Sequence, residues 1–338
     1  MSPTTPPLYA VRALTIDIHS AQQSVRAVDD VSFSLWPGET VAVVGESGSG
    51  KTVMTLGPLG LLPEGVAVRV QGAASVGGTD LLATAGRDRG RARARTFGVI
   101  FQDPMSALNP MRRVGPQIAA QIRRFTDHSA RAARAEAVSL LRRVGIADPE
   151  DRYGRYPHEM SGGMLQRAMI ALALASKPRI LIADEPTTAL DATVQAQILD
   201  LLREIQRQEG LAVILITHDI GVVSAMADRV LVMYAGRIVE EGTALDVLIR
   251  PAHPYTRGLL ASVPDLWARS HDRSGEIPGA PPDLARFEPG CRFADRCALE
   301  VPSCRRTQPA LQPVPPAGSH RAACPVVLAR VREPADAR

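Results

Sequence analysis

Gly45-Glu46-Ser47-Gly48-Ser49-Gly50-Lys51-Thr52 follows the apolar run Val41-Ala42-Val43-Val44 and fits the pattern GxxxxGK[ST]. The apolar run predicts a buried strand, and the glycines let the chain turn tightly into the next helix. Successive N–H groups of such a turn point inward at phosphate oxygens, and the helix adds its positive N-terminal end. The stretch reads as a P-loop, with Gly45, Ser47, Gly48, Ser49, Gly50 and Val53 around the phosphates. Lys51 is expected to reach the β and γ phosphates, and the Thr52 hydroxyl to ligate Mg²⁺. A P-loop says only that a nucleoside triphosphate binds; its use must be read elsewhere in the chain.

Outward from that turn, 338 residues predict one large or two unequal domains with room for a sizeable core. No apolar run reaches the ~18 residues of a membrane helix, so the chain is not expected to span a bilayer alone. Met1 to Pro7 shows no basic region leading into an apolar core, which makes the cytosol the default expectation. All four cysteines fall between Cys291 and Cys324, and in a reducing compartment such a cluster suggests metal before disulfide. The net charge of +4 is only mildly basic and forces no nucleic-acid partner. The densest basic run, Arg87, Arg89, Arg91, Arg93 and Arg95, is interleaved with small residues and lacks aromatic stacking platforms; it reads as a solvated face.

Leu14, Ile16 and Ile18 alternate, as do Val31, Phe33 and Leu35, predicting an antiparallel sheet layer before the P-loop. Gly57 to Gly90 reads as irregular strands and loops. Thr96 to Phe101 reads as a short strand ending at Gln102-Asp103-Pro104, with a helical region through Val114 to Val144 beyond it. Ser161-Gly162-Gly163 ahead of Leu165 to Ala175 predicts a helix N-terminus with exposed glycine amides, suited to an anion. Arg179 to Glu185 is an apolar strand ending in two carboxylates, Asp184 to hold Mg²⁺ and Glu185 to polarise an attacking water. Ala192 to Gln208 reads as a crossover helix into a second strand, Val213 to Thr217, which ends at His218. This strand, helix, strand order implies an α/β fold. Tyr234-Ala235-Gly236 is a hairpin turn. From about Asp246 prolines multiply and apolar periodicity fades, which places a boundary near Ala244 and predicts a mobile tail from Pro325.

The ordered set GESGSGKT, Gln102, MSGGMLQR at Met160 to Arg167, ILIADEPTTALD at Ile180 to Asp191 and His218 resembles the ATP-binding cassette ATPases. FQDPMSALNP, HPYTRGLL at His253 to Leu260 and IPGAPPDL before the cysteines resemble the dipeptide/oligopeptide and nickel permease ATPases, from about Ala10 to Pro325. The resemblance implies a nucleotide-binding domain over 8–245 with a helical subdomain at about 104–165. A permease-type C-terminal domain over 246–326 and a flexible tail over 327–338 would follow. It assigns Thr52, Gln102 and Asp184 to the Mg²⁺ environment, Glu185 as catalytic carboxylate and His218 to the γ-phosphate. Asp191 would lie in the loop linking two sites of a dimer, and Ser161, Gly162, Gly163 and Met164 would cover ATP on the opposite subunit. SGGM in place of SGGQ resembles one of two paired ATPase types and implies a heterodimer with an SGGQ partner.

The same resemblance implies a peripheral subunit at the cytoplasmic face of the membrane, hydrolysing ATP for peptide import with two permease subunits and an extracytoplasmic binding protein. Nickel or another small solute is the alternative cargo, and a soluble cassette acting on nucleic acid or ribosomes the competing class; no nucleic-acid partner is expected. For adenine stacking the sequence offers only His19, with Tyr9 farther off. Cys291, Cys297, Cys304 and Cys324 supply four soft ligands whose spacing suits neither zinc ribbons nor ferredoxins. The resemblance implies a [4Fe–4S] cluster there, with Zn²⁺ the alternative, to stabilise a segment with little core to bury.

Overall fold

The computed structural model describes residues 6–20, 23–62, 65–83, 90, 93–188, 190–262, 277–285, 289–316 and 318–332. Arg87, Arg89 and Arg91 lie outside the described residues. The chain divides into two compact units. One comprises Met1–Pro6, Leu35–Thr40 and Ala83–Ile216; the other comprises Pro7–Ser34, Val41–Leu82 and Thr217–Arg338.

In the first unit the strands Phe97–Ile100, Ile180–Asp184 and Ala212–Ile216 pair in parallel, with Phe97 opposite Ile180 and Ile180 opposite Ala212. Every residue of the last two strands is buried, as expected of parallel strands covered on both faces. The crossover helix is Ala192–Glu209, and it buries Ile198, Leu199, Leu201, Leu202 and Ile205 at helical spacing. Asp191 caps it by accepting from the Val194 N–H at 2.9 Å, and Gly210 ends it at φ 64°. The helical region expected over Val114 to Val144 is two helices, Val114–Phe125 and Ala130–Arg143. The break falls at Thr126, which is extended, and Ser129, whose hydroxyl accepts from the Ala132 N–H and restarts the helix.

The second unit carries the antiparallel layer, ordered Ser24–Leu35, Tyr9–His19, Ala67–Val76 and Thr79–Asp80. Ala67–Val76 is ten residues of regular strand where the sequence predicts irregular pieces. It pairs along Tyr9–His19 from Tyr9 opposite Val76 to His19 opposite Ala67, with a register shift between Arg12 and Thr15. Gly72, at φ +101°, faces that shift, where a Cβ would lie 2.5 Å from the Ala13 carbonyl oxygen. The glycine that weakens the sequence signal is therefore required by the bulge.

In the same unit the P-loop strand, Thr40–Val44, pairs in parallel with Arg229–Tyr234. The predicted hairpin leads from Arg229–Tyr234 into Arg237–Thr243, which pairs with Arg321–Ala322 and through it with Gln312–Pro313. The C-terminal segment thus returns to the sheet that holds the P-loop. Its last helix, Pro325–Arg332, corrects the expectation of a flexible tail over those residues. Val327 and Leu328 are buried in an apolar cluster with Ala252, Val314, Ala322 and Cys324, and that burial orders the segment.

Candidate functional site

The P-loop lies in the second unit. Gly45 has φ +152°, and a Cβ there would come within 2.1 Å of the Met233 carbonyl oxygen. At Gly50, φ +100°, a Cβ would lie 2.3 Å from the Ala27 carbonyl oxygen. Both positions are closed to any side chain by backbone atoms, which is why the stretch needs glycine there. Lys51 begins the helix Lys51–Leu56 and is 7% exposed; its Nζ donates to the carbonyl oxygens of Gly45 at 2.8 Å and Glu46 at 2.9 Å. The ammonium is therefore folded over the loop it follows. Ser49 Oγ is buried and has no hydrogen-bond partner among the described residues. An orphaned buried hydroxyl in the same loop as a lysine ammonium fits an anionic oxygen ligand, so these residues suit a phosphate. Thr52 is exposed and Val53 half-buried.

Sequence reasoning missed how Glu46 is held. Its backbone N–H donates to Tyr255 Oη at 2.7 Å, and its carboxylate accepts from Arg296 Nη1 at 2.7 Å and Nη2 at 2.9 Å. Tyr255 belongs to the HPYTRGLL stretch and Arg296 stands next to Cys297, so two C-terminal features end on the P-loop. No periodicity links residues 250 apart in sequence.

His218 also belongs to this unit and is exposed; the preceding Thr217 N–H donates to the Val43 carbonyl oxygen at 3.2 Å. His218 therefore leaves the chain beside the strand that feeds Gly45. His19 is exposed, with its Nδ1 2.9 Å from Ser24 Oγ. Tyr9 is 1% exposed and packs edge-on against Phe33 at 5.9 Å, which removes it as a stacking surface for adenine.

Gln102, Asp184, Glu185, Ser161 to Met164 and Asp191 belong to the first unit. Asp184 closes its strand and is 6% exposed. Glu185 has φ 46°, an uncommon conformation for a residue other than glycine, and its N–H donates to the Ile216 carbonyl oxygen at 2.9 Å. Its Oε2 accepts from Gln102 Nε2 at 3.1 Å and from Thr188 Oγ1 at 3.0 Å. The unit thus brings Gln102 and Glu185 together and adds Thr188, which the sequence did not single out. Gln166 Nε2 donates to the Pro186 carbonyl oxygen at 2.6 Å and ties the signature helix to the turn after Glu185. Ser161 caps that helix, Gly162–Leu174, with Gly162 exposed and Gly163 and Met164 half-buried. Asp191 is committed to capping the crossover helix.

The four cysteines line one small pocket with His253, Phe293, Ala323, Pro325 and Val326. Burial pushes the Cys291 thiol up to about 11 and raises those of Cys297 and Cys324 as well. A bound metal would reverse this by holding thiolates. Among the described residues, no three His, Cys, Asp or Glu side chains stand in a metal-holding arrangement. The donor set is gathered, but its sulfur atoms are not disposed around one ion.

Comparison with known proteins places these features in a family. Residues 28–188 match the ABC transporter family, and residues 239–304 match the oligopeptide/dipeptide transporter C-terminal region. The chain is 49% identical over 319 residues to the oligopeptide transport ATP-binding protein OppD of Mycobacterium bovis, covering 94% of this chain and 52% of that protein. It therefore spans about half the length of that mycobacterial relative. It is 47% identical to the probable peptide ABC transporter ATP-binding protein y4tR of Sinorhizobium fredii, covering 94% of both chains. Against the dipeptide transport ATP-binding protein DppD of Bacillus subtilis the identity is 48%, covering 89% of both. Among solved structures, the ATP-binding cassette MJ0796, a dimer in a post-hydrolysis state bound to ADP and Pi, superposes with a TM-score of 0.62. The identity is 24%, over 70% of this chain and 98% of that one. The structure of cbiO1 from Clostridium perfringens gives a TM-score of 0.61 at 26% identity, over 73% of this chain and 92% of that one.

Proposed function

The chain belongs to the ABC transporter ATP-binding proteins that carry the oligopeptide/dipeptide C-terminal region, and from that premise we propose that it hydrolyses ATP to energise peptide import. The observation that carries this reading is the presence, on one chain, of a phosphate-shaped P-loop and that C-terminal region. Nucleotide binding would fall to 8–245 and the peptide-permease role to 246–326. Lys51, Ser49 and the loop amides would hold the phosphates. Thr52, Gln102 and Asp184 would hold Mg²⁺, which when bound would supply positive charge against the transferred phosphoryl group. Glu185, oriented by Gln102 and Thr188, would take the proton of the attacking water, and His218 would contact the γ-phosphate.

Ser161 to Met164 and Asp191 would serve a second ATPase subunit, an SGGQ-type paralogue. Two permease subunits and an extracytoplasmic binding protein would complete the importer, with this chain peripheral at the cytoplasmic face. Among the described residues no helix is long and apolar enough to cross a membrane. Cys291, Cys297, Cys304 and Cys324 are proposed as ligands of a [4Fe–4S] cluster, with Zn²⁺ the alternative; the four thiols on one pocket support this donor set.

The test is Glu185→Gln in the purified chain with its partner ATPase. Turnover is expected to fall by about 100-fold or more, as on loss of a general base, while nucleotide binding is retained. Unchanged hydrolysis would remove Glu185 from the reaction.

A further inference from the structure

Glu46 places a carboxylate inside a loop built to receive a polyanion. Unopposed, that charge repels phosphate, and repulsion is strong where solvent is excluded. The chain opposes it with one guanidinium. Arg296 binds both carboxylate oxygens of Glu46, at 2.7 and 2.9 Å, in the two-toothed geometry that only arginine offers. Its side chain is 5% exposed and that of Glu46 25%, so the guanidinium is buried and the carboxylate it holds is half-buried. Arg296 is itself fixed: Nε donates to the Pro278 carbonyl oxygen at 2.8 Å, and Nη1 reaches Tyr234 Oη at 3.3 Å. The carbonyl of Glu46 in turn receives Lys51 Nζ, so the arginine and the phosphate-binding lysine grip the same residue.

We propose that Arg296 is a positioning residue for nucleotide binding, through which the cysteine-bearing turn cancels and orients the Glu46 carboxylate of the P-loop. The inference rests on the P-loop being a nucleotide site. It gives the IPGAPPDL stretch a physical role, since Pro278 lies there and holds the guanidinium. It also makes the Ala294–Arg296 turn, directly before Cys297, part of the nucleotide machinery.

The experiment measures binding of a fluorescent ATP analogue with Mg²⁺ to the full chain. Arg296→Met is expected to weaken binding about tenfold, because a half-buried carboxylate in the phosphate loop loses its two-toothed partner. Arg296→Lys keeps the charge but not the two-toothed fork, so its loss should fall between wild type and the methionine variant, at about threefold. In a Glu46→Gln background, Arg296→Met should cost less than about threefold, since no carboxylate remains to be cancelled. Arg296→Gln, which retains a donor for Pro278, runs in parallel in case the methionine variant fails to fold. Wild-type affinity in both the Met and Gln variants would overturn the proposal. An undiminished loss in the Glu46→Gln background would also overturn it, by showing that Arg296 acts through another group. A wild-type chain that binds no nucleotide would instead overturn the reading of the P-loop.

Discussion

At the scale of single residues, two groups show how burial sets chemistry. Glu185 sits at positive φ with its backbone N–H donating to the Ile216 carbonyl oxygen, so its carboxylate is aimed by backbone geometry before Gln102 and Thr188 add their hydrogen bonds. His253 is fully buried; desolvation lowers its pKa from 6.5 to about 4, against the opposing pull of Glu240. Its Nδ1 accepts from the Tyr255 N–H at 3.1 Å, which requires a neutral ring. Because the folded pKa is depressed, the unfolded chain takes up the proton first on acidification. The stability of the neutral ring is complete above about pH 6.5 and is lost progressively toward about pH 4. Thermal melts across that interval should show the decline, with a shallower slope in His253→Asn, which keeps a capping acceptor; an unchanged slope would remove His253 as its source. The P-loop was legible because its chemistry is local and its spacing fixed. The Glu46 to Arg296 pair was not, because an ion pair between distant segments leaves no periodic trace. Tyr9 failed as a stacking residue for a related reason: its burial against Phe33 is tertiary.

Among the elements, the strands and helix around Asp184 and Glu185 were readable because parallel strands buried on both faces give unbroken apolar runs. The strand Ala67–Val76 was obscured by Gly72, whose role appears only once its partner strand bulges opposite it. The helix Pro325–Arg332 was obscured by the proline-rich sequence before it, although proline at a helix start is favourable. Leu328 is 2% exposed within its apolar cluster. Leu328→Ala should destabilise that cluster by about 2–4 kcal/mol, measured by denaturant unfolding. A loss below about 0.5 kcal/mol would mean the helix is not part of the folded core.

For the molecule as a whole, family membership follows from the comparisons, while cargo and partners remain a proposal resting on the C-terminal region. That region has little apolar periodicity, yet it adds a strand to the P-loop's sheet and grips Glu46 with Tyr255 and Arg296. Sequence composition places a boundary near Ala244 and shows no periodic core beyond it. The hydrogen bonds instead make it a support for the loop that would bind ATP. The proposed role of this chain is to convert ATP hydrolysis into peptide import. Its most direct test is uptake of a radiolabelled dipeptide into proteoliposomes containing the chain, an SGGQ-type ATPase, two permeases and the binding protein. Uptake is expected to require ATP on the side of this chain and to be abolished by Glu185→Gln. Uptake that persists in that variant, or ATP hydrolysis without peptide uptake in the complete assembly, would contradict it.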